Sequence, residues 1–321
     1  MFLESQVPPD RASARSGGTG PLSPGRRPWL TFRRQDNLAG YLFIAPQFLG
    51  VILFVIVPLA LVGYYSFHEW DILGGTFTFV GLENFETLLS DPQVVPVIQA
   101  TAAFSVGLVI FNISLALFLA ILLNQKVQGM VFFRTLFFSP VVVSLVAWTI
   151  VWGFLLQDNG GINGILSIFG VEGPNWLREG PTAMASVIVV QLFKNVGLNM
   201  VLFLAAFQSV PTELYEAARV DGASRARIFR SITIPLISPT ILLTLIITIV
   251  GSLQVFAQIS VLTQGGPGNS TTVLVYYLYQ QAFLFGRFGY GSTLAIVLFI
   301  IVLVLTIAQW QLRKKWVFYE N

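Results

Sequence analysis

Between Pro211 and Pro235 the chain reads PTELYEAARVDGASRARIFRSITIP, a charged stretch set between two long apolar runs. Arg219, Arg225, Arg227 and Arg230 sit there with Glu213, Glu216 and Asp221. Pro211 suits the first position of a helix, and Glu213 and Glu216 then fall near the positive end of its dipole. Leu214, Ala217 and Ala218 share one face at spacings of three and four. Asp221-Gly222 is a stop signal, because glycine takes the left-handed conformation that ends a helix. A second helix starting from Ser224 carries Ile228, Phe229 and Ile232 on its apolar side, and Pro235 forbids its unbroken continuation. The expectation is helix, glycine turn, helix. On composition alone such a stretch reads as a solvated loop between two membrane spans.

A second set of chemically able residues lies inside apolar runs, where a polar group without a partner costs several kcal/mol. Gln254 and Gln258 are four apart and project from one helix face. Gln191, Lys194, Asn195 and Asn199 form another polar stripe. Each stripe either lines a solute pathway or supplies interhelical hydrogen bonds. Lys194 stands apart, because an ammonium at mid-membrane costs about 2.5–3.5 kcal/mol. No acid shares its depth, so its surroundings are a wet pathway, a partner subunit, or backbone carbonyls at a break in a neighbouring helix. We expect it to face the pathway beside Gln191 and Asn195. Neutral amides suit a mono- or oligosaccharide, and the lysine leaves a polyol phosphate open.

Absent motifs narrow the function. A single histidine, His68, and no cysteine exclude clustered imidazole and thiolate metal sites. No Gly-Lys dipeptide, HExxH or GxSxG occurs, so no P-loop, zinc-protease or hydrolase chemistry has an anchor. No catalytic residue and no metal ligand is assigned, and no nucleic-acid partner is implied. Energy for any transport must come from elsewhere.

Hydrophobic residues make up 55% of the chain and charged residues 10%, against roughly 25% charged in soluble domains. Six stretches are long enough to span a bilayer: roughly 39–67, 95–124, 131–156, 182–207, 238–263 and 289–312. Residues 1–37, rich in Pro, Gly, Ser and Arg, are expected to be a disordered cytoplasmic tail. Residues 38–312 then form the membrane domain and 313–321 a cytoplasmic C-terminal tail. Lys and Arg concentrate in the N-terminal tail, the turn at Lys126, the 211–235 loop and Arg313-Lys314-Lys315. The connections 68–94, 157–181 and 264–288 hold only Arg178 and Arg287 beside eight acids. Cytoplasmic loops carry the positive charge, so both termini and the 211–235 loop are placed inside.

Glu216-Ala217-Ala218, with Gly222 four residues on and Ile232-Thr233-Ile234-Pro235 closing the stretch, resembles the EAA loop of permease subunits of binding-protein-dependent ABC importers. In that family the stretch ends Ile-x-Leu-Pro, and Ile234 departs from it while keeping apolar character. Phe79-Val80-Gly81-Leu82-Glu83-Asn84-Phe85, the Thr263-Gln264-Gly265-Gly266-Pro267 loop through Thr271, and Gly289-Tyr290-Gly291-Ser292 are similar to segments of its carbohydrate branch, the MalF/UgpA-like sugar permeases. The resemblance covers the chain from about residue 38 onwards. It implies an all-α membrane protein with six transmembrane helices of the type I importer fold and a cytoplasmic coupling loop at 211–235. Glu216, Ala217, Ala218, Asp221, Gly222, Ile232 and Pro235 would then meet an ATPase subunit. It further implies a second related permease, in a heterodimer, two ATP-binding subunits that carry the ATP and magnesium, and an extracytoplasmic sugar-binding protein. The site would be the bacterial cytoplasmic membrane. The competing class is a self-contained secondary transporter, which gives no reason for an EAA loop.

Overall fold

The computed structural model describes residues 29–71, 75–125 and 127–316. They fall into two compact units divided at Val57 and Pro58. The first contains helix α1 (Trp29–Val51), which runs on through a π-helical turn at Ile52–Ile56. Because α1 starts at Trp29, residues 29–37 are helical and the expected disordered tail does not reach them; residues 1–28, with Arg26 and Arg27, lie outside the described residues. Lys126 and residues 317–321 lie outside them too.

Helix α2 (Val57–Tyr65) leads into the second unit, which is helical as expected apart from one short hairpin among the described residues. Strands β1 (His68–Asp71) and β2 (Thr76–Phe79) form an antiparallel hairpin, with His68 opposite Phe79 and Trp70 opposite Phe77. Aromatic and threonine side chains pair well across strands, and the His68 and Phe77 rings stack 4.5 Å apart. Helix α3 (Glu83–Ser90) follows, and its Asn84 Nδ2 donates 3.0 Å bonds to the carbonyls of both Ser66 and His68.

The remaining helices are α4 (Val94–Leu123), α5 (Met130–Val142), α6 (Leu145–Leu155), α7 (Gly161–Ile168) and α8 (Gly180–Ser209). After them come α9 (Thr212–Val220), α10 (Arg225–Ile228), α11 (Ile234–Leu236), α12 (Ser238–Leu253), α13 (Leu274–Tyr279) and α14 (Phe288–Trp316). The final helix therefore runs past 312 into the expected C-terminal tail. Helix α8 is central. Phe104, Leu108, Val187, Met200 and Phe203 are buried in one cluster between α4 and α8.

Among the described residues, four stretches are long and apolar enough to cross a membrane: Ala39–Tyr65, Val94–Leu123, Gly180–Ser209 and Phe288–Arg313. Two bent pairs bring the number to six if each is one span. The stretch expected as a continuous third span, 131–156, is instead broken between Val142 and Leu145, with α5 and α6 at 103°. Pro140 has no N–H to continue the ladder, and the backbone turns extended at Val143 and Ser144. The expected fifth span, 238–263, ends as an α-helix at Leu253 and resumes beyond a short break as a π-helical turn at Ile259–Thr263.

Candidate functional site

The 211–235 loop folds as two helices about a glycine turn. Pro211 sits one residue earlier than expected, as the N-cap of α9. Glu213 occupies the first turn; Glu216 lies further along, beyond the strongest part of the dipole. Gly222 takes φ +73°, and Ala223 N–H returns to the Ala218 carbonyl, which closes the end of α9. Ser224 caps α10 by accepting from the Arg227 N–H at 3.4 Å.

The second helix does not continue unbroken past Pro235, although the proline itself lies inside its last turn. A π-helical turn at Phe229–Thr233 precedes it, and the helix runs through Pro235 to Leu236 before bending by 66° into α12. The wider π turn accommodates the missing proline donor, since the hydrogen-bond ladder is already shifted by one residue there. The Tyr215 hydroxyl lies 3.3 Å from Thr233 Oγ1 and joins the two helices. Ile228 and Thr233 are buried and Ile232 half-buried. Glu216, Ala217, Asp221 and Gly222 are exposed, Ala218 is half-buried, and Val220 is 88% exposed. Among the described residues, Leu214 and Ala217 of the apolar strip therefore have little cover, while Ala218 is partly covered.

The intramembrane stripes separate into ties and open groups. Gln258 Nε2 donates to Gln191 Oε1, and both residues are buried. Asn199 Nδ2 donates to Asn112 Oδ1 at 2.5 Å and to Thr248 Oγ1 at 2.9 Å, binding α8 to α4 and α12. Gln254 and Gln258 do not share a helix face as expected. The α-helix stops at Leu253, which leaves Gln254 exposed while Gln258 is buried beyond the break. Asn195 is half-buried, and among the described residues neither its amide nor that of Gln254 makes a side-chain hydrogen bond.

Lys194 corrects a further expectation. It is buried, and its ammonium donates to the carbonyls of Pro140 (2.6 Å), Val141 (3.1 Å) and Val143 (2.6 Å). Of the surroundings weighed for it, the carbonyls at a helix break are the ones found, rather than a shared stripe with Gln191 and Asn195.

On the side expected to face outward, sequence reasoning missed Asp91, counted there only as one acid among eight. Its Oδ2 accepts 2.5 Å bonds from both the Tyr277 and Tyr290 hydroxyls, and its Oδ1 caps the Gln93 N–H at 2.9 Å. Burial pushes the carboxyl up, but the two hydroxyls, the Gln93 amide and the nearby Arg287 outweigh it and hold Asp91 below its ordinary value. Burial, and then Asp91 itself, pushes Tyr277 up to about 12. Two of the three family-like segments meet in this region, and the third joins it through Asn269 Nδ2, which donates to Gln93 Oε1 at 2.8 Å. Asn84 ties α3 to the chain before the hairpin, and a Cβ on Gly289 would overlap the His68 carbonyl oxygen. In the Gly265–Thr271 loop, Thr271 Oγ1 donates to the Gly266 carbonyl at 2.8 Å. A cavity of about 610 Å³ opens nearby, lined by Gly153, Phe154, Gln157, Asp158, Asn175 and Arg178, among others.

Residues 112–315 match the family described as "Binding-protein-dependent transport system inner membrane component". The chain is 35% identical over 291 residues to the arabinooligosaccharides transport system permease protein AraP of Bacillus subtilis, covering 88% of this chain and 91% of that one. It is 33% identical over 288 residues to the sn-glycerol-3-phosphate transport system permease protein UgpA of Brucella abortus, covering 89% and 98%. Among solved structures, a chain of a bacterial alginate ABC transporter in complex with an alginate-pentasaccharide-bound periplasmic protein superposes with a TM-score of 0.78. That pair is 24% identical over 90% of this chain and 98% of the other, a likeness of fold. With a helix–glycine–helix loop between apolar helices and a family match across most of its length, the chain belongs to the inner-membrane permease components of binding-protein-dependent transport systems.

Proposed function

We propose that the chain is the permease subunit of an ATP-driven sugar importer, that it spans the bacterial cytoplasmic membrane six times, and that α9, the Gly222 turn and α10 form its coupling element. The observation that carries this reading is the uncovered face of α9. Leu214, Ala217 and Val220 are exposed on a helix that also presents Glu216 and Arg219. An apolar strip rimmed by charge is the composition of a docking surface. In this reading Glu216, Ala217, Ala218, Asp221 and Gly222 meet a separate ATPase subunit. Ile232 and Pro235 carry its movement into α12 through the bend after Leu236.

ATP and magnesium belong to two such partner subunits, and this chain performs no catalysis. A second, related permease completes the membrane pore, and an extracytoplasmic binding protein delivers the solute. Transport proceeds by alternating access, driven by closure of the ATPase pair. Both termini lie in the cytoplasm.

Sugar is favoured as cargo because relatives such as AraP are named for oligosaccharides and because the open intramembrane groups, Asn195 and Gln254, are neutral amides suited to hydroxyl groups. Gln191, Gln258 and Asn199 act chiefly as ties between helices. The second reading, a polyol phosphate such as glycerol phosphate, rests on the UgpA likeness. The Lys194 ammonium, engaged with three carbonyls, lends that reading no support. Copurification from native membranes tests the proposal: a stoichiometric ATPase and a sugar-capturing binding protein are expected. A chain that transports alone in proteoliposomes would overturn it.

A further inference from the structure

Three features of α8 address the break between α5 and α6. Lys194 gathers the Pro140, Val141 and Val143 carbonyls. One turn on, Gly197 lets the two backbones touch, since a Cβ there would overlap the Phe137 carbonyl and lie 2.9 Å from the Phe138 Cα. One turn earlier, the Val190 carbonyl accepts from Trp148 Nε1 of α6 at 3.0 Å. The break releases acceptors at the carbonyl end of α5, where the helix dipole is negative and a cation is favoured. Ser139 Oγ takes the Leu136 carbonyl at 2.9 Å, the acceptor that Pro140 cannot serve, and Lys194 takes the others. All fifteen acidic residues lie outside the candidate spans, so the ammonium is neutralised by backbone dipoles.

This arrangement bears on more than stability, because α6 is a wall of the outward cavity. Ile150, Gly153 and Phe154 of α6 line it. The angle at Val143 sets where that wall stands. An ammonium on a flexible stem has three rotatable donors, so it can exchange carbonyl partners as the angle changes without leaving any of them bare.

We infer that Lys194 is a positioning residue for transport, which holds the α5–α6 hinge and so governs how the α6 wall of the outward cavity moves during the cycle. The inference rests on the alternating-access reading given above and goes beyond it by assigning the moving hinge and its pin.

The chain has no cysteine, so a single Phe154→Cys substitution is the one thiol on it, and labelling is read on this chain after the subunits are separated. The full complex, with its ATPase subunits and binding protein, is reconstituted in liposomes. Labelling from outside by an impermeant maleimide is timed in the nucleotide-free and vanadate-trapped states, and the yield of assembled complex is measured alongside. With Lys194 in place, the two rates are expected to differ about tenfold. Lys194→Met is expected to bring the ratio close to one, and Lys194→Arg to restore most of it. Should Lys194→Met not assemble, Lys194→Gln, which keeps two donors without the charge, is decided by the same ratio. A wild-type ratio in the assembled Met or Gln variant overturns the positioning role while leaving alternating access intact. A ratio of one with Lys194 present overturns alternating access at this wall, and the hinge assignment with it.

Discussion

Asn199 reaches across from α8 to place its amide nitrogen 2.5 Å from Asn112 Oδ1 on α4, with both side chains almost wholly buried. The same nitrogen donates to Thr248, whose own hydroxyl donates to the Thr244 carbonyl at 2.7 Å. Three helices thus share one chain of donors and acceptors in apolar surroundings, where such chains reinforce one another. A double-mutant cycle with Asn112→Ala and Asn199→Ala should give a coupling of about 0.6–1.7 kcal/mol in unfolding of the detergent-solubilised protein. Strict additivity would show that the two amides do not act as a pair.

Gly222→Val should uncouple the transporter while leaving insertion intact. The residue sits at φ +73°, and no neighbouring atom lies within 4 Å of where a Cβ would stand, so the cost of valine is one of backbone conformation and not of space. The angle between α9 and α10 then shifts. Solute-stimulated ATP hydrolysis by the reconstituted complex should fall about tenfold or more. Glu216→Lys, which reverses an exposed charge on the same surface, should act in the same direction. Normal stimulation in both variants would remove the coupling role from this loop.

Asp91 gives a pH signature. A carboxyl held below its ordinary value of 3.8 contributes stability that is present above that value and lost as pH falls through the lowered one. Tyr277, pushed up from 10.0 to about 12, contributes stability that is present below 10 and lost as pH rises through 12. Thermal stability should therefore be flat between about pH 4 and 10 at this node and fall on both sides. Asp91→Asn should cost about 1–2 kcal/mol on the plateau and soften both shoulders. Shoulders unchanged in that variant would mean that other groups set them.

Topology is directly testable in a chain without cysteine. Single cysteines at Asn84, Asn163 and Gly268 should react with an impermeant maleimide applied to intact cells, and those at Gln128 and Ser224 should react only after permeabilisation. Labelling at Ser224 from outside would invert the assignment and with it the docking role of α9.

Features with local causes were legible in the sequence. Gly222 after an alanine-rich helix and Ser224 before a second one announce a turn whatever the surroundings, and the structure has it. The apolar runs likewise show where long helices lie. Features that depend on breaks were not legible. Pro140 marks a kink in any span, but nothing in the local pattern says that the chain turns extended at Val143 and Ser144, so the acceptors for Lys194 appear only once the fold is known. The interruption after Leu253 contains no proline or glycine, and a spacing of four therefore suggested one face for Gln254 and Gln258 where there is none. The hairpin at 68–79 is too short for alternation to outweigh the surrounding helical pattern. Asp91 was opaque for a different reason: both of its tyrosine partners lie far along the chain.

That distance has a consequence for biosynthesis. Asp91 leaves the ribosome 186 residues before Tyr277 and 199 before Tyr290, and Thr101 waits 173 residues for the Leu274 N–H that it accepts at 2.8 Å. While the intervening helices are threaded into the bilayer, the carboxylate keeps only its local bond to Gln93 and whatever water it retains. The bonds that close the end of the bundle holding Asp91 therefore come from α13 and α14, and a nascent chain cut short before α13 carries an open seam there.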